Sequence, residues 1–110
     1  MEPRFSKETV KPGSGPVCPP GAMVLAHYTG RLENGTVFDS SVERGEPLQF
    51  KVGQGQVIRC WDEGITQMQK GEKAILTCPH NYAYGPRGIP GTIPPRATLI
   101  FEVELLNFRK

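Results

Sequence analysis

The clearest pattern in the chain lies near its end. Ala97, Leu99, Phe101, Val103 and Leu105 alternate with Thr98, Ile100, Glu102 and Glu104. A period of two places the first set on one face of a β-strand. Ala22 to Arg31 reads the same way, with Val24, Ala26 and Tyr28 on one face. Asn34-Gly35 follows, a strong signal for a tight hairpin between apolar runs, and Val37-Phe38-Asp39 forms the returning strand. Beyond a polar loop over residues 40–47, Leu48, Phe50 and Val52 alternate over a short third strand. Glu72 to Cys78 is another, with Ala74 and Leu76 on one face.

The period changes once. Gly53-Gln54-Gly55 breaks the third strand, and Ile58, Trp61, Ile65 and Met68 then recur three, four and three residues apart. That spacing predicts one face of a short amphipathic helix. Gly71 stops it, with Lys70 and Lys73 near its negative end. Residues 79–95 are a long Pro- and Gly-rich loop held by Tyr82 and Tyr84. Residues 1–21 hold few apolar residues and end in a Pro/Gly cluster. They are a leader or an edge strand, with Phe5 and Val10 available to dock. The helix must pack its Trp61 face against the sheet, so the fold class is α+β: five or six mainly antiparallel strands and one short helix.

Composition sharpens this. The chain has 13 glycines and 11 prolines among 110 residues, against roughly 12% for the two together in ordinary chains. Such a density of breakers excludes a helical bundle or coiled coil. With no repeat and no linker, residues 1–110 read as a single domain. The formal net charge is +2 with no basic stripe, so no nucleic-acid partner is expected. The longest apolar run, Ala22 to Ala26, is far below the ~20 residues that span a bilayer, so no membrane partner is expected either. Three cysteines (Cys18, Cys60 and Cys78), an odd number without a C-x-x-C pair, and a start without a signal-like apolar stretch favour the cytosol and reduced thiols. Cys60 and Cys78 read as small apolar fillers. Asn34-Gly35-Thr36 matches a glycosylation sequon and reads as a turn.

Most familiar chemistry is missing from the pattern. His27 and His80 have no metal-ligand spacing to each other or to the cysteines, so no metal is expected. Gly53-Gln54-Gly55 lacks the residues of a phosphate loop, and no cofactor motif is present. Ser40-Ser41 has no nucleophile motif around it. Asp62 and Glu63 mark the solvated side of the helix. What remains is an aromatic and aliphatic set, Tyr28, Phe38, Leu48, Trp61, Tyr84 and Phe101, with Asp39 placing a carboxylate at its edge.

Three segments carry a resemblance: VLAHYTGRLENGTVFDSS, GQGQVIRCWDEGITQM and NYAYGPRGIPGTIPPRATLIFEVELL. In order and spacing, from about Val10 to Phe108, they resemble the macrolide-binding immunophilins, the FKBP-type peptidyl-prolyl cis–trans isomerases. The resemblance implies a five- or six-stranded antiparallel sheet wrapped around one short helix, with an apolar pocket between them. It implies that Trp61 is the pocket floor and that Tyr28, Phe38, Val57, Ile58 and Phe101 are its walls. Asp39 and the Tyr84 hydroxyl would be polar anchors, joined by the Ile58 backbone N–H. Arg44 would orient Asp39 and Tyr28, and Ile89, Thr92 and Ile93 would belong to an overhanging loop. The sequence departs from the family pattern at Leu48, usually Phe, at Gln56, often Glu, at Cys60, often Gly, and at the loop tip.

The implied activity is rotation about X–Pro bonds in peptides and protein clients, inhibited by macrolides such as rapamycin and tacrolimus. A macrolide complex would engage calcineurin or the TOR kinase, and the protein would act as a monomer without cofactor. Two competing readings stand beside it. One is a binding module that holds proline-rich partners or a macrolide without turnover. The other is a structural β domain whose aromatics are only core.

Overall fold

A computed structural model describes residues 4–109. Its main sheet has six antiparallel strands. In chain order these are β1 (Ser6–Lys11), β3 (Met23–Leu32), β4 (Val37–Ser40), β5 (Leu48–Lys51), β7 (Lys73–Cys78) and β8 (Leu99–Arg109). β2 (Ser14–Val17) and β6 (Gln69–Lys70) form a separate two-stranded pair. The helices are α1 (Ser41–Arg44) and α2 (Arg59–Gly64). The α+β reading holds, with α2 as the helix that carries Trp61.

The order β1-β7-β8-β3-β4 puts the two longest strands, β8 and β3, at the centre. Their alternation is the one seen in the sequence: Val24, Ala26 and Tyr28 on β3, and Leu99, Phe101, Val103 and Leu105 on β8, are all buried. Ala74, Leu76 and Cys78 of β7 extend this face, and Trp61 and Ile65 close it from the helix side. The other edge of β3 is divided. Its first half pairs with β5, Met23 to Ala26 against Lys51 to Leu48, and its second half with β4, Thr29 to Arg31 against Ser40 to Val37. Between the two, His27 and Tyr28 face no strand on that side.

Glu72 pins the far edge. The residue is 3% exposed, and its carboxylate accepts hydrogen bonds from Lys7 Nζ at 2.6 Å, Thr9 Oγ1 at 3.0 Å and the Gln69 N–H at 2.9 Å. Burial alone would raise its pKa. The hydrogen bonds from Lys7, Gln69 and Thr9, and the Lys7 charge, outweigh burial and hold it below the usual carboxylate value. This cluster decides the N-terminal question: residues 6–11 are an edge strand on β7. Residues 1–3 of the expected leader lie outside the described residues.

Two expectations need correction. The helix does not run on to Gly71. It ends at Gly64, tightens into one 3₁₀ turn over Ile65–Gln67, and Met68 is extended. The Met68 carbonyl accepts from Cys18 N–H at 2.8 Å, and β6 pairs with β2. Tertiary pairing thus outcompetes continuation of the helix, and Lys70 and Lys73 stand on β6 and β7 rather than at a helix end. Nor are Cys60 and Cys78 separate reduced fillers. They are joined in a disulfide with Cα atoms 5.9 Å apart, a separation that a bridge requires. Cys18 is free and buried.

Candidate active site

The aromatic set converges on one cavity of about 180 Å³, lined by Tyr28, Phe38, Asp39, Leu48, Gln56, Val57, Ile58, Trp61, Tyr84 and Phe101. Each element contributes by its own periodicity. β3 and β8 present Tyr28 and Phe101 as inward-facing residues, β4 and β5 bring Phe38 and Leu48 to the two sides of the divided edge, and α2 lowers Trp61 between them. Trp61 is 4% exposed. Its ring meets Tyr28 at 4.7 Å and Phe101 at 5.2 Å, both near-perpendicular, and Phe38 meets Phe101 the same way at 5.6 Å. Edge-to-face pairs of this kind add about 0.5–1.5 kcal/mol each beyond area burial.

One residue that the sequence reading passed over makes this packing possible. Gly30 is buried on the Tyr28 face of β3. A Cβ there would lie 2.7 Å from Phe38 Cζ and 2.8 Å from Phe101 Cε1. The signal was available, since Val24, Ala26, Tyr28 and Gly30 share one face. An empty position on a strand marks a close approach.

The polar corner is a closed triangle. The Tyr28 hydroxyl donates to Asp39 Oδ2 at 2.6 Å, Arg44 donates to the Tyr28 oxygen at 3.0 Å, and Arg44 also pairs with Asp39 Oδ1. Burial pushes the Asp39 carboxyl up. The Tyr28 and Arg44 hydrogen bonds, and the Arg44 charge, push it down further, so it lies below its ordinary range and is ionised at neutral pH. Burial and the bond to Asp39 raise Tyr28, and burial with the nearby Asp39 charge raises Tyr84. Both phenols therefore keep their protons. Arg44 is not on the cavity lining itself and is bonded to two residues that are, Asp39 and Tyr28.

Ser41 supports the corner from behind. It is fully buried. Its Oγ accepts the Tyr28 N–H at 2.8 Å, donates towards the Tyr28 carbonyl at 3.3 Å, and lies 2.8 Å from His27 Nδ1. These bonds satisfy the backbone left without a strand partner at the divided edge. A serine beside a histidine could suggest a nucleophile, but Ser41 is inaccessible and its hydroxyl is already engaged.

The mouth is set by the chain entering α2. Asp62 accepts the Gly53 N–H at 2.7 Å and the Gly55 N–H at 3.0 Å, so it organises the preceding loop rather than merely facing solvent. Gln56 closes the same loop onto Lys51 N–H at 3.0 Å. The Ile58 carbonyl accepts from Trp61 and Asp62, whereas its N–H has no acceptor among the described residues and Ile58 lines the cavity. Ile89, Thr92 and Ile93 are not on the lining. Ile89 and Ile93 pair with each other, Ile93 is buried, and Ile89 and Thr92 are exposed. A second cleft, about 200 Å³ beside Met23, Leu25, Gln49, Asn107 and Phe108, contains neither an aromatic pair nor a carboxylate.

Comparison with known proteins converges on one family. Residues 15–106 match the sequence model of the family described as FKBP-type peptidyl-prolyl cis-trans isomerase. FK506-binding protein 1 of Candida glabrata is 60% identical over 101 residues, covering 91% of this chain and 89% of the relative. FK506-binding protein 1 of Saccharomyces cerevisiae is 58% identical over 108 residues, covering 97% and 95%. A Schizosaccharomyces pombe peptidyl-prolyl cis-trans isomerase is 54% identical over 101 residues, covering 91% and 90%. The crystal structure of AtFKBP13 superposes with a TM-score of 0.91 at 40% identity, covering 96% of this chain and 93% of that one.

Proposed function

Because the chain belongs to the FKBP-type peptidyl-prolyl cis–trans isomerases, we propose that the Trp61-floored cavity is where it turns X–Pro bonds, across the whole chain as a single domain. The observation that carries this assignment is a pocket walled by edge-to-face aromatics with one ionised carboxylate locked at its rim.

Rotation about an X–Pro amide faces a barrier of ~18–20 kcal/mol, because resonance is lost at the twisted midpoint. No bond is made or broken, so no nucleophile is required. The planar amide is the more polar form, and an apolar enclosure disfavours it relative to the twisted one. Walls shaped to the twisted form bind it better. Each tenfold in rate needs ~1.4 kcal/mol of that difference. In this reading the proline ring sits on Trp61 between Tyr28, Phe38 and Phe101. The free Ile58 N–H and the Tyr84 hydroxyl hold carbonyl oxygens of the substrate. Asp39, kept in place by Tyr28 and Arg44, supplies the negative field at the rotating amide. Leu48, Val57 and Gln56 shape the mouth.

Macrolides such as tacrolimus and rapamycin would occupy the same cavity. Tyr84, exposed on the cavity lining, together with the exposed Val42 and Ile89, would then offer a surface to calcineurin or the TOR kinase, with Thr92 on the same loop as Ile89. The clients would be folding proteins in the cytoplasm. Full burial of Cys60 and Cys78 is compatible with that location, since thiols reach a bridge only where it is accessible.

A protease-coupled isomerisation assay tests the reading. Trp61→Ala and Phe38→Ala should each lower kcat/KM at least tenfold, and Asp39→Leu, which removes the charge and keeps the volume, should lower it as well. Values within twofold of the wild type for Trp61→Ala and Phe38→Ala would remove the pocket as the site. Tacrolimus binding without any rate enhancement by the wild type would leave a binding module instead.

A further inference from the structure

The bridge between Cys60 and Cys78 spans 18 residues of sequence and ties α2 to β7. Helical spacing puts Cys60 and Gly64 on one face of α2, and strand alternation puts Leu76 and Cys78 on one face of β7. The two faces meet. Gly64 closes on the Leu76 side chain so tightly that a Cβ would lie 3.0 Å from both its methyls, and Cys60 is bonded to Cys78. The helix is therefore seated by two rungs, one of contact and one covalent. Leu76 pairs across to Phe101, whose ring meets Trp61, and Trp61 directly follows Cys60. α2 has only six residues, and its N-cap, Ile58, makes no side-chain capping bond. So short a helix has little of its own to hold its first turn.

We propose that the Cys60–Cys78 disulfide is a positioning element of the pocket: it fixes the first turn of α2 on β7, and with it the Trp61 indole and the Ile58 N–H, so that turnover depends on the oxidation state of this pair. The activity readout rests on the isomerase reading above. Closing the bridge joins the two Sγ atoms and releases two protons and two electrons. Both sulfurs are fully buried in the folded protein, so the exchange runs on the unfolded or refolding chain, where a low-molecular-weight disulfide such as oxidised glutathione accepts the protons and electrons and leaves as two thiols.

The test compares three forms: oxidised wild type, wild type reduced in guanidinium and refolded under reductant, and the Cys60→Ala/Cys78→Ala double variant. All are assayed at a temperature where circular dichroism shows them folded. Both bridge-free forms should lose about tenfold in kcat/KM, the scale of a sub-ångström displacement of a positioned group. Acrylamide quenching of Trp61, the single tryptophan, should rise in both. Glu72→Gln, which weakens the far edge of the sheet, should change neither. Bridge-free protein with a lower Tm but unaltered kcat/KM and quenching would overturn the proposal, and so would failure of both bridge-free forms to fold. If oxidised wild type shows no isomerase activity, the functional reading fails separately. The quenching comparison then decides, a rise supporting the positioning role and no change refuting it.

Discussion

Gly30→Ala is the most informative single substitution, because it inserts one methyl group where two pocket walls meet. The new Cβ would sit 2.7 Å from Phe38 Cζ and 2.8 Å from Phe101 Cε1, roughly 0.8 Å inside the ~3.5 Å of an ordinary carbon contact. Phe101 is 3% exposed and packed against Trp61 and Tyr28, so it cannot recede. Phe38 is half-buried at the cavity wall and can. Overpacking costs about 1–3 kcal/mol. Replacing glycine in a strand returns about 0.4–1 kcal/mol through the unfolded chain. The net loss is on the order of 1 kcal/mol, a Tm lower by about 4–8 °C. Catalysis should suffer more, since displacing Phe38 by under 1 Å opens the wall, and kcat/KM should fall by more than about tenfold. Protease-coupled isomerisation at 25 °C, with Tm by calorimetry, reads both effects. Adding Phe38→Ala should remove most of the penalty, a strongly non-additive cycle. A Gly30→Ala protein with kcat/KM within twofold of wild type would refute the argument that Phe38 is held by this contact.

Other outcomes follow from the same structure. Glu72→Gln leaves Lys7 with no buried countercharge and should cost about 3 kcal/mol or more in urea unfolding. Because Glu72 has its pKa lowered by folding from 4.5, its contribution is full above that value and fades as pH falls through the folded pKa; the acid limb of wild-type stability should be shallower in the variant. Asp39 is likewise lowered from 3.8, so kcat/KM should hold through the ordinary carboxylate range and decline only below it. Burial pushes the Cys18 thiol up to about 11, so iodoacetamide should label it only after unfolding, as mass spectrometry would show. Opening the bridge across its 18 residues should lower stability by about 3 kcal/mol on loop-closure grounds, measured as a lower urea midpoint.

How much of this was legible depends on how local the signal is. β3 and β8 were readable because both are central strands with one buried face, so the pleat itself writes the alternation. β1 shows no such pattern, since most of its residues are exposed and it is held by Glu72, which lies far away in sequence. The helix was read too long because three-residue spacing suits a 3₁₀ turn as well as an α-helix. Only the pairing of β6 with β2 decides where it stops. The aromatic residues of the site were legible as a set, and family resemblance supplied their arrangement. Gly30 was not singled out and Ser41 was weighed only as a nucleophile, because each acts by what surrounds it: one by leaving room, the other by satisfying backbone groups at a gap. The bridge was missed for a similar reason. Cys60 follows a helix start and Cys78 ends a strand, and nothing local says that these two ends touch.

The divided edge of β3 has a further consequence for how such a domain can vary. Residues 41–47 connect β4 to β5 without themselves entering the ladder, while the register on either side is fixed by Gly30 against Asp39 and Ala26 against Leu48. Length or composition can therefore change in this connection with Ser41 and Arg44 retained, and the sheet will not slip. The two sides of the mouth, Phe38 and Leu48, stay where their strands hold them, and only what spans the gap changes. For a designer this is a graft site: a foreign loop placed after Arg44 would sit beside the Trp61 cavity without sharing its core.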